Sequence, residues 1–245
     1  MAGEPVRNAP VRAPAVNPQT SQWAMPRARS RVRLLLEGIE GSIALAAAFL
    51  TWPLSRRWLK NWGSTVEERN RVWPGDRLVR AGHDTYTRAI DIAAASNAVW
   101  PWIVQFGLDR AGFYSYELLE RLIGIPVTNL ESIEESLQPI AVGDEIRLHP
   151  KAPGIPVALL ESGRHICFGV EHSPGSVAAH SDPIRSWSIY LEPAGDRSCR
   201  LLLRGCIEPL REPTWGKRLG LAIESPVDFV MEQRMLRTIK RLAEM

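Results

Sequence analysis

The chain has 245 residues, is 45% hydrophobic and carries a net charge of +3 at neutral pH. That suits one ordinary globular domain with an appendage. The charge is uneven: residues 1–60 hold nine Lys and Arg against Glu4, Glu37 and Glu40, so the rest is slightly acidic and makes no electrostatic case for nucleic acid.

Three cysteines (Cys167, Cys199 and Cys206) lack close paired spacing. They read as small buried hydrophobes of a reduced compartment, not as a disulfide framework.

Residues 1–30 contain five prolines, several arginines and no sustained apolar period. Such a segment buries too little surface to offset its ordering entropy, and we expect a disordered basic tail. Residues 31–62 form an apolar helix pattern from Leu34 to Leu50. Arg27, Arg29, Arg31 and Arg33 precede it; Trp52, Arg56, Arg57, Trp58, Lys60 and Trp62 follow. The uncharged run between Glu40 and Arg56 spans about 15 residues, short of the roughly 20 a spanning helix needs. Three readings stay open: an interfacial helix, a spanning anchor, or a helix packed on protein. A cleaved leader fits less well, because Glu37 and Glu40 interrupt the approach to the apolar run.

Residues 63–72 are polar and read as a surface linker, so the domain proper is expected over 73–245. Thr87 to Ile92 alternates as a half-buried strand, with Arg88, Ile90 and Ile92 on one side. Ser96 can cap the helix that follows, Val99, Trp100, Trp102, Ile103 and Phe106 make it largely buried, and Pro101 should kink it. After Gly107 and Gly112, a second helix carries Tyr116, Leu119, Leu122 and Ile123 at helical spacing and stops at Gly124. Residues 128–140 show a weak helical pattern around Ile133 and Leu137. Five short strands follow, at 144–148, 156–160, 164–170, 184–191 and 199–207, in the manner of an antiparallel meander. A closing helix from about Ser225 to Ala243 places Val227, Met231, Met235, Ile239 and Leu242 on one stripe.

The segments PGDRLV, YTRAIDIAAASNAVWPWIVQFG, GFYSYELLERLIGI, VGDEIRL and FVMEQRMLRTIK together resemble the SRPBCC (START-like, helix-grip) superfamily over roughly residues 72–242. The resemblance implies an α+β helix-grip fold, in which a curved antiparallel sheet wraps a long C-terminal helix around an apolar cavity. It implies lipid carriers, small-molecule binders and polyketide cyclases as the functional range, and fold alone does not choose among them.

The five histidines show no metal-ligand spacing. His165, Cys167, Glu171 and His172 could be drawn together, but a strand and its turn should send them to alternating faces. No nucleophile elbow, phosphate loop or dinucleotide fingerprint is present. Tyr114, Tyr116, His149, Glu117 and Arg234 are conceivable acid–base groups, and none stands out.

The expected ligand-contacting set is Trp102, Phe113, Tyr114, Tyr116, Trp187, Met231 and Met235, with no catalytic residue, metal or cofactor. The expected function is binding of a hydrophobic small molecule or lipid. The expected location is the cytoplasm, with residues 27–62 at or in a membrane. A polyketide cyclase/dehydrase-like enzyme, or a structural or interaction module with a filled core, is the alternative.

Overall fold

A computed structural model describes residues 30–79, 83–170, 185–208 and 214–245. The expected disordered tail falls outside these but for Ser30, as do Glu171, His172 and His180.

The elements run α1 (Arg31–Lys60), α2 (Val66–Asn70), a 3-10 turn (Pro74–Leu78), β1 (Asp84–Ile92), α3 (Ser96–Val104), α4 (Glu117–Leu122), β2 (Glu145–Ile146), β3 (Ile155–Glu161), β4 (His165–Gly169), β5 (Arg185–Gly195), β6 (Ser198–Ile207) and α5 (Trp215–Ala243). The strands form one antiparallel sheet in the order β1-β6-β5-β4-β3-β2. With the long C-terminal helix against it, this is the helix-grip arrangement expected from the sequence.

The strand register sorts the side chains by face. Tyr86, Gly205, Trp187, Phe168 and Val157 form one row across β1, β6, β5, β4 and β3; Arg88, Leu203, Ile189 and Ile166 form the next row on the same face. That face meets α5, whose Met235, Leu236, Ile239 and Leu242 join Trp102, Ile103, Ile166 and Ile189 in the main core. Each such aliphatic burial is worth about 1.5–3 kcal/mol before ordering costs are counted.

The opposite face is covered as well. Trp73, Leu78 and Val79 pack on Ala89, Cys167, Tyr190 and Leu202, with the Trp73 and Tyr190 rings 4.5 Å apart. Covering both faces explains why β6 carries the unbroken run Leu201-Leu202-Leu203 instead of an alternation. His165 and Cys167 do not alternate as expected. They are two residues apart on one strand and share this covered face, where both approach Tyr190.

Residues 63–72 carry α2, closed by a capping box in which Thr65 and Glu68 exchange bonds. Glu68 also receives Arg200 of β6 at 2.8 Å, and its carbonyl accepts Trp73 Nε1.

Several local expectations need correction. Ser96 is the first residue of α3, and Ala95 occupies the cap position without a side-chain bond. Residues 128–140 form only a short 3-10 turn at Glu135–Leu137. Helix α5 begins ten residues before Ser225, since Ser225-Pro226 looks like a helix start but lies inside the helix. Its expected stripe divides between two partners. Met235, Ile239 and Leu242 face the main core, whereas Met231 packs in a cluster with Leu59 of α1, Tyr116 and Phe229.

Helix α4 stops before Gly124 as expected, but only Tyr116 and Leu119 of its expected apolar residues turn inward. Leu122 and Ile123 are exposed, while Glu117 and Glu120 are buried. The acids are taken up by the surrounding loop. Glu117 pairs with Arg121 and accepts the Asn129 N–H, and Glu120 is bonded by Ser115 Oγ.

Helix α1 packs on α4 and α5 through Glu37, Gly38, Gly41, Ala48 and Leu59. A Cβ at Gly38 would overlap the Leu118 side chain, and one at Gly41 would crowd Leu119 and Tyr116, so glycine here permits the close approach. Glu37 and Glu40 pair with Arg234 at 3.5 and 3.3 Å.

Candidate functional site

The chemistry-bearing groups converge where the Tyr86–Trp187 row meets α5. Glu232 lies at the centre. Its carboxylate accepts Tyr86 OH at 2.7 Å and Trp187 Nε1 at 3.0 Å, and pairs with the Arg88 guanidinium. Arg88 is fully buried, and its Nε donates to Leu59 O, the penultimate carbonyl of α1, at 3.0 Å. The guanidinium also lies over the Tyr86 ring at 4.4 Å and the Phe229 ring at 5.3 Å. Burial makes an arginine this deep costly unless every donor is used, and here a carboxylate, a carbonyl and two ring faces receive it.

Gly205 makes the row possible. A Cβ there would overlap the Tyr86 ring, which lies across the β6 backbone to reach Glu232.

Asp228, one turn before Glu232 on α5, shares the same side. Burial pushes its carboxyl up to about 7, helped by the nearby charges of Glu232 and Glu224 and opposed by Arg88 and Arg185. Arg185 is itself held by Glu224, with Nη2 to Oε2 at 2.9 Å. The Tyr86 phenol is raised well above its usual range, first by burial and then by Glu232.

Beside this charged set stands an aromatic wall. Trp187 stacks on Phe168 at 5.4 Å and meets Phe106 at 5.3 Å, and Phe106 meets Phe113 at 5.3 Å. Phe113 is held by its loop, since Asn129 Oδ1 accepts the Phe113 and Tyr114 N–H groups at 2.9 and 2.7 Å. Asn129 Nδ2 donates to Ser115 O, and the clamp keeps Tyr114 at a positive φ of 57°.

The residues expected from the sequence divide among three places. Trp187 and Phe113 belong to the aromatic wall, which is the part of the main core next to Glu232. Trp102, Tyr114 and Met235 lie in the main core: Trp102 meets Tyr114 edge-on at 6.2 Å, and the Tyr114 hydroxyl receives Gln105 Nε2. Tyr116 and Met231 face α1, where the Tyr116 hydroxyl bonds Glu40 and burial raises its phenol to about 12. The acid–base candidates do not converge. His149 lies in a surface loop before β3, Glu117 serves Arg121 and Asn129, and Arg234 holds α1.

The sequence reading missed Tyr86, Arg88, Asp228 and Glu232, although two signals were present. Arg88 falls in phase with Ile90 and Ile92, which puts a charge on the apolar side of β1. Asp228 and Glu232 recur at helical spacing on a helix otherwise read for its apolar stripe.

Asp76, His83 and Cys206 bring their ligand atoms within 4.8 Å of one another. The donor chemistry does not suit a cation. Arg204 already grips Asp76 at 2.7 and 3.0 Å, and burial with the Asp76 charge raises the Cys206 thiol to about 12. Asp76 and Arg204 form an ion pair on the covered face of the sheet, with the Cys206 thiol donating to Asp76 Oδ1.

No family model and no curated protein matches the chain. Solved structures of similar topology include a polyketide-cyclase-like protein from Corynebacterium glutamicum, at 14% identity and a TM-score of 0.37, over 67% of this chain and 94% of that one. Another, from Thermobifida fusca, is 15% identical with a TM-score of 0.37, over 64% of this chain and 94% of that one. These likenesses are distant and carry no residue roles.

Proposed function

We propose that the chain binds a hydrophobic small molecule or lipid bearing one hydrogen-bonding end, between the sheet and α5 and close to a membrane. The single observation that supports this most is the meeting of the Phe106, Phe113, Phe168 and Trp187 rings with the Tyr86, Arg88, Asp228 and Glu232 group. Apolar walls with a few converging polar groups are what a pocket for such a ligand needs. The rings would take the apolar body, and Asp228 or Tyr86 a hydroxyl or carbonyl at its end.

Hydroxypyrene and a long-chain alcohol are suitable probes. Binding to the wild-type chain is expected, with affinity about tenfold lower after Trp187→Ala, since one aromatic contact carries roughly 1 kcal/mol beyond its buried area. Failure of both probes to bind a folded chain, or unchanged binding by Trp187→Ala with Phe106→Ala, overturns the reading.

Asp228 supports a second reading, the cyclase- or dehydrase-like one. A carboxyl raised to about 7 beside a phenol and a guanidinium would accept and return a proton near neutral pH. Turnover of a polyketide-type substrate that Asp228→Asn abolishes, with hydroxypyrene binding intact, would establish it.

A further inference from the structure

We propose that the outer face of α1 is a docking surface for an anionic lipid bilayer, on which the helix lies flat while still packed on the domain. The proposal rests on the membrane-proximal part of the reading above and is independent of ligand binding.

Helix α1 differs from an ordinary surface helix in carrying apolar residues on its outward face as well as its inward one. Its inward face carries Glu37, Gly38 and Gly41 in the first half, with Glu40 at the rim paired to Arg234, and Ala48 and Leu59 further along. Its outward face carries Val32, Leu36, Ile39, Ile43, Leu50 and Leu54. At 3.6 residues per turn these fall on one stripe about 33 Å long. Leu50 is 83% exposed and Leu54 94%. A stripe this long is more apolar surface than a single exposed residue explains and marks a contact with something.

The ends of the stripe say what that contact is. Arg31 is exposed at one end, and Arg56 and Arg57 at the other, with Trp58 half-exposed beside them. No charged residue lies between Glu40 and Arg56. Both ends being basic, a second copy laid on the stripe in either direction would set arginines against arginines. An anionic headgroup layer satisfies both ends together, and tryptophan favours that depth.

The packing also decides between lying and spanning. By length and composition α1 could cross a bilayer. Crossing would strip Glu37 and Glu40 from Arg234, open the Gly38 and Gly41 seats, and leave Arg88 without the Leu59 carbonyl. Lying flat costs none of these.

The test uses the full chain with vesicles of phosphatidylcholine, with and without phosphatidylserine. We expect sedimentation with the phosphatidylserine vesicles, weakening severalfold as salt is raised, and release by alkaline carbonate. Leu50→Asp with Leu54→Asp should weaken binding by about tenfold or more with an unchanged melting temperature.

Three results overturn the proposal. They are no sedimentation with phosphatidylserine vesicles, undiminished binding by the double variant, or resistance to alkaline carbonate, which would mean a spanning helix. A dimer that the double variant dissolves, without vesicle binding, assigns the stripe to a second copy and likewise overturns it. Hydroxypyrene binding measured without vesicles tests the ligand reading separately.

Discussion

Arg88 joins three parts of the molecule, and Arg88→Met is the change that tests the site as a unit. The substitution keeps an unbranched apolar stem and removes the guanidinium. Glu232 then loses its buried counter-charge, and Leu59 O loses its donor. Removing one partner of a buried pair costs about 3–5 kcal/mol. The lower end applies, because Glu232 is 13% exposed and keeps Tyr86 and Trp187 as donors. A loss of about 3 kcal/mol corresponds to a fall in Tm of roughly 6–12 °C for a chain of this size.

Urea unfolding followed by tryptophan emission, with calorimetry alongside, measures both quantities. Arg88→Met with Glu232→Gln should recover much of the loss, since the stranded charge is gone too, and the cycle isolates the coupling. An Arg88→Met chain melting within about 2 °C of wild type, or a double variant whose losses simply add, would refute the pairing argument.

Two further predictions follow from the same cluster. Because the folded-state pKa of Asp228 is raised to about 7, the folded chain keeps a proton that the unfolded chain has lost between about pH 4 and 7. Stability should therefore fall as pH rises through that window and level off above it. Asp228→Asn, which mimics the protonated form, should match wild type near pH 4 and exceed it at pH 8; parallel stability–pH curves for the two chains would contradict this. Gly205→Ala should push the Tyr86 ring off Glu232 and cost about 1–3 kcal/mol by overpacking. A normal melting temperature together with an unperturbed Tyr86 would show that the ring has room to move.

The sequence by itself determined the class of fold and the order of its main elements, though not the short α2 or the first ten residues of α5. Alternation in 87–92, turn-punctuated runs through 144–207 and the apolar residues of the C-terminal helix are local signals, because strand and helix periods act over neighbouring residues. Which face each element turns inward was decided only by tertiary contact. Leu122 of α4, Ile123 at its C-cap, and Leu50 and Leu54 of α1 are apolar yet point outward, while Glu37, Glu117 and Glu120 point inward. Hydrophobic periodicity assumes that the core takes the apolar side. That assumption fails where a helix packs backbone-close through glycines and meets arginines from other elements, such as Arg234, 194 residues beyond Glu40. The candidate site has the same origin. Arg88 and Glu232 lie 144 residues apart, and only the antiparallel pairing of β1 with β6, with α5 laid across it, brings the guanidinium to the carboxylate.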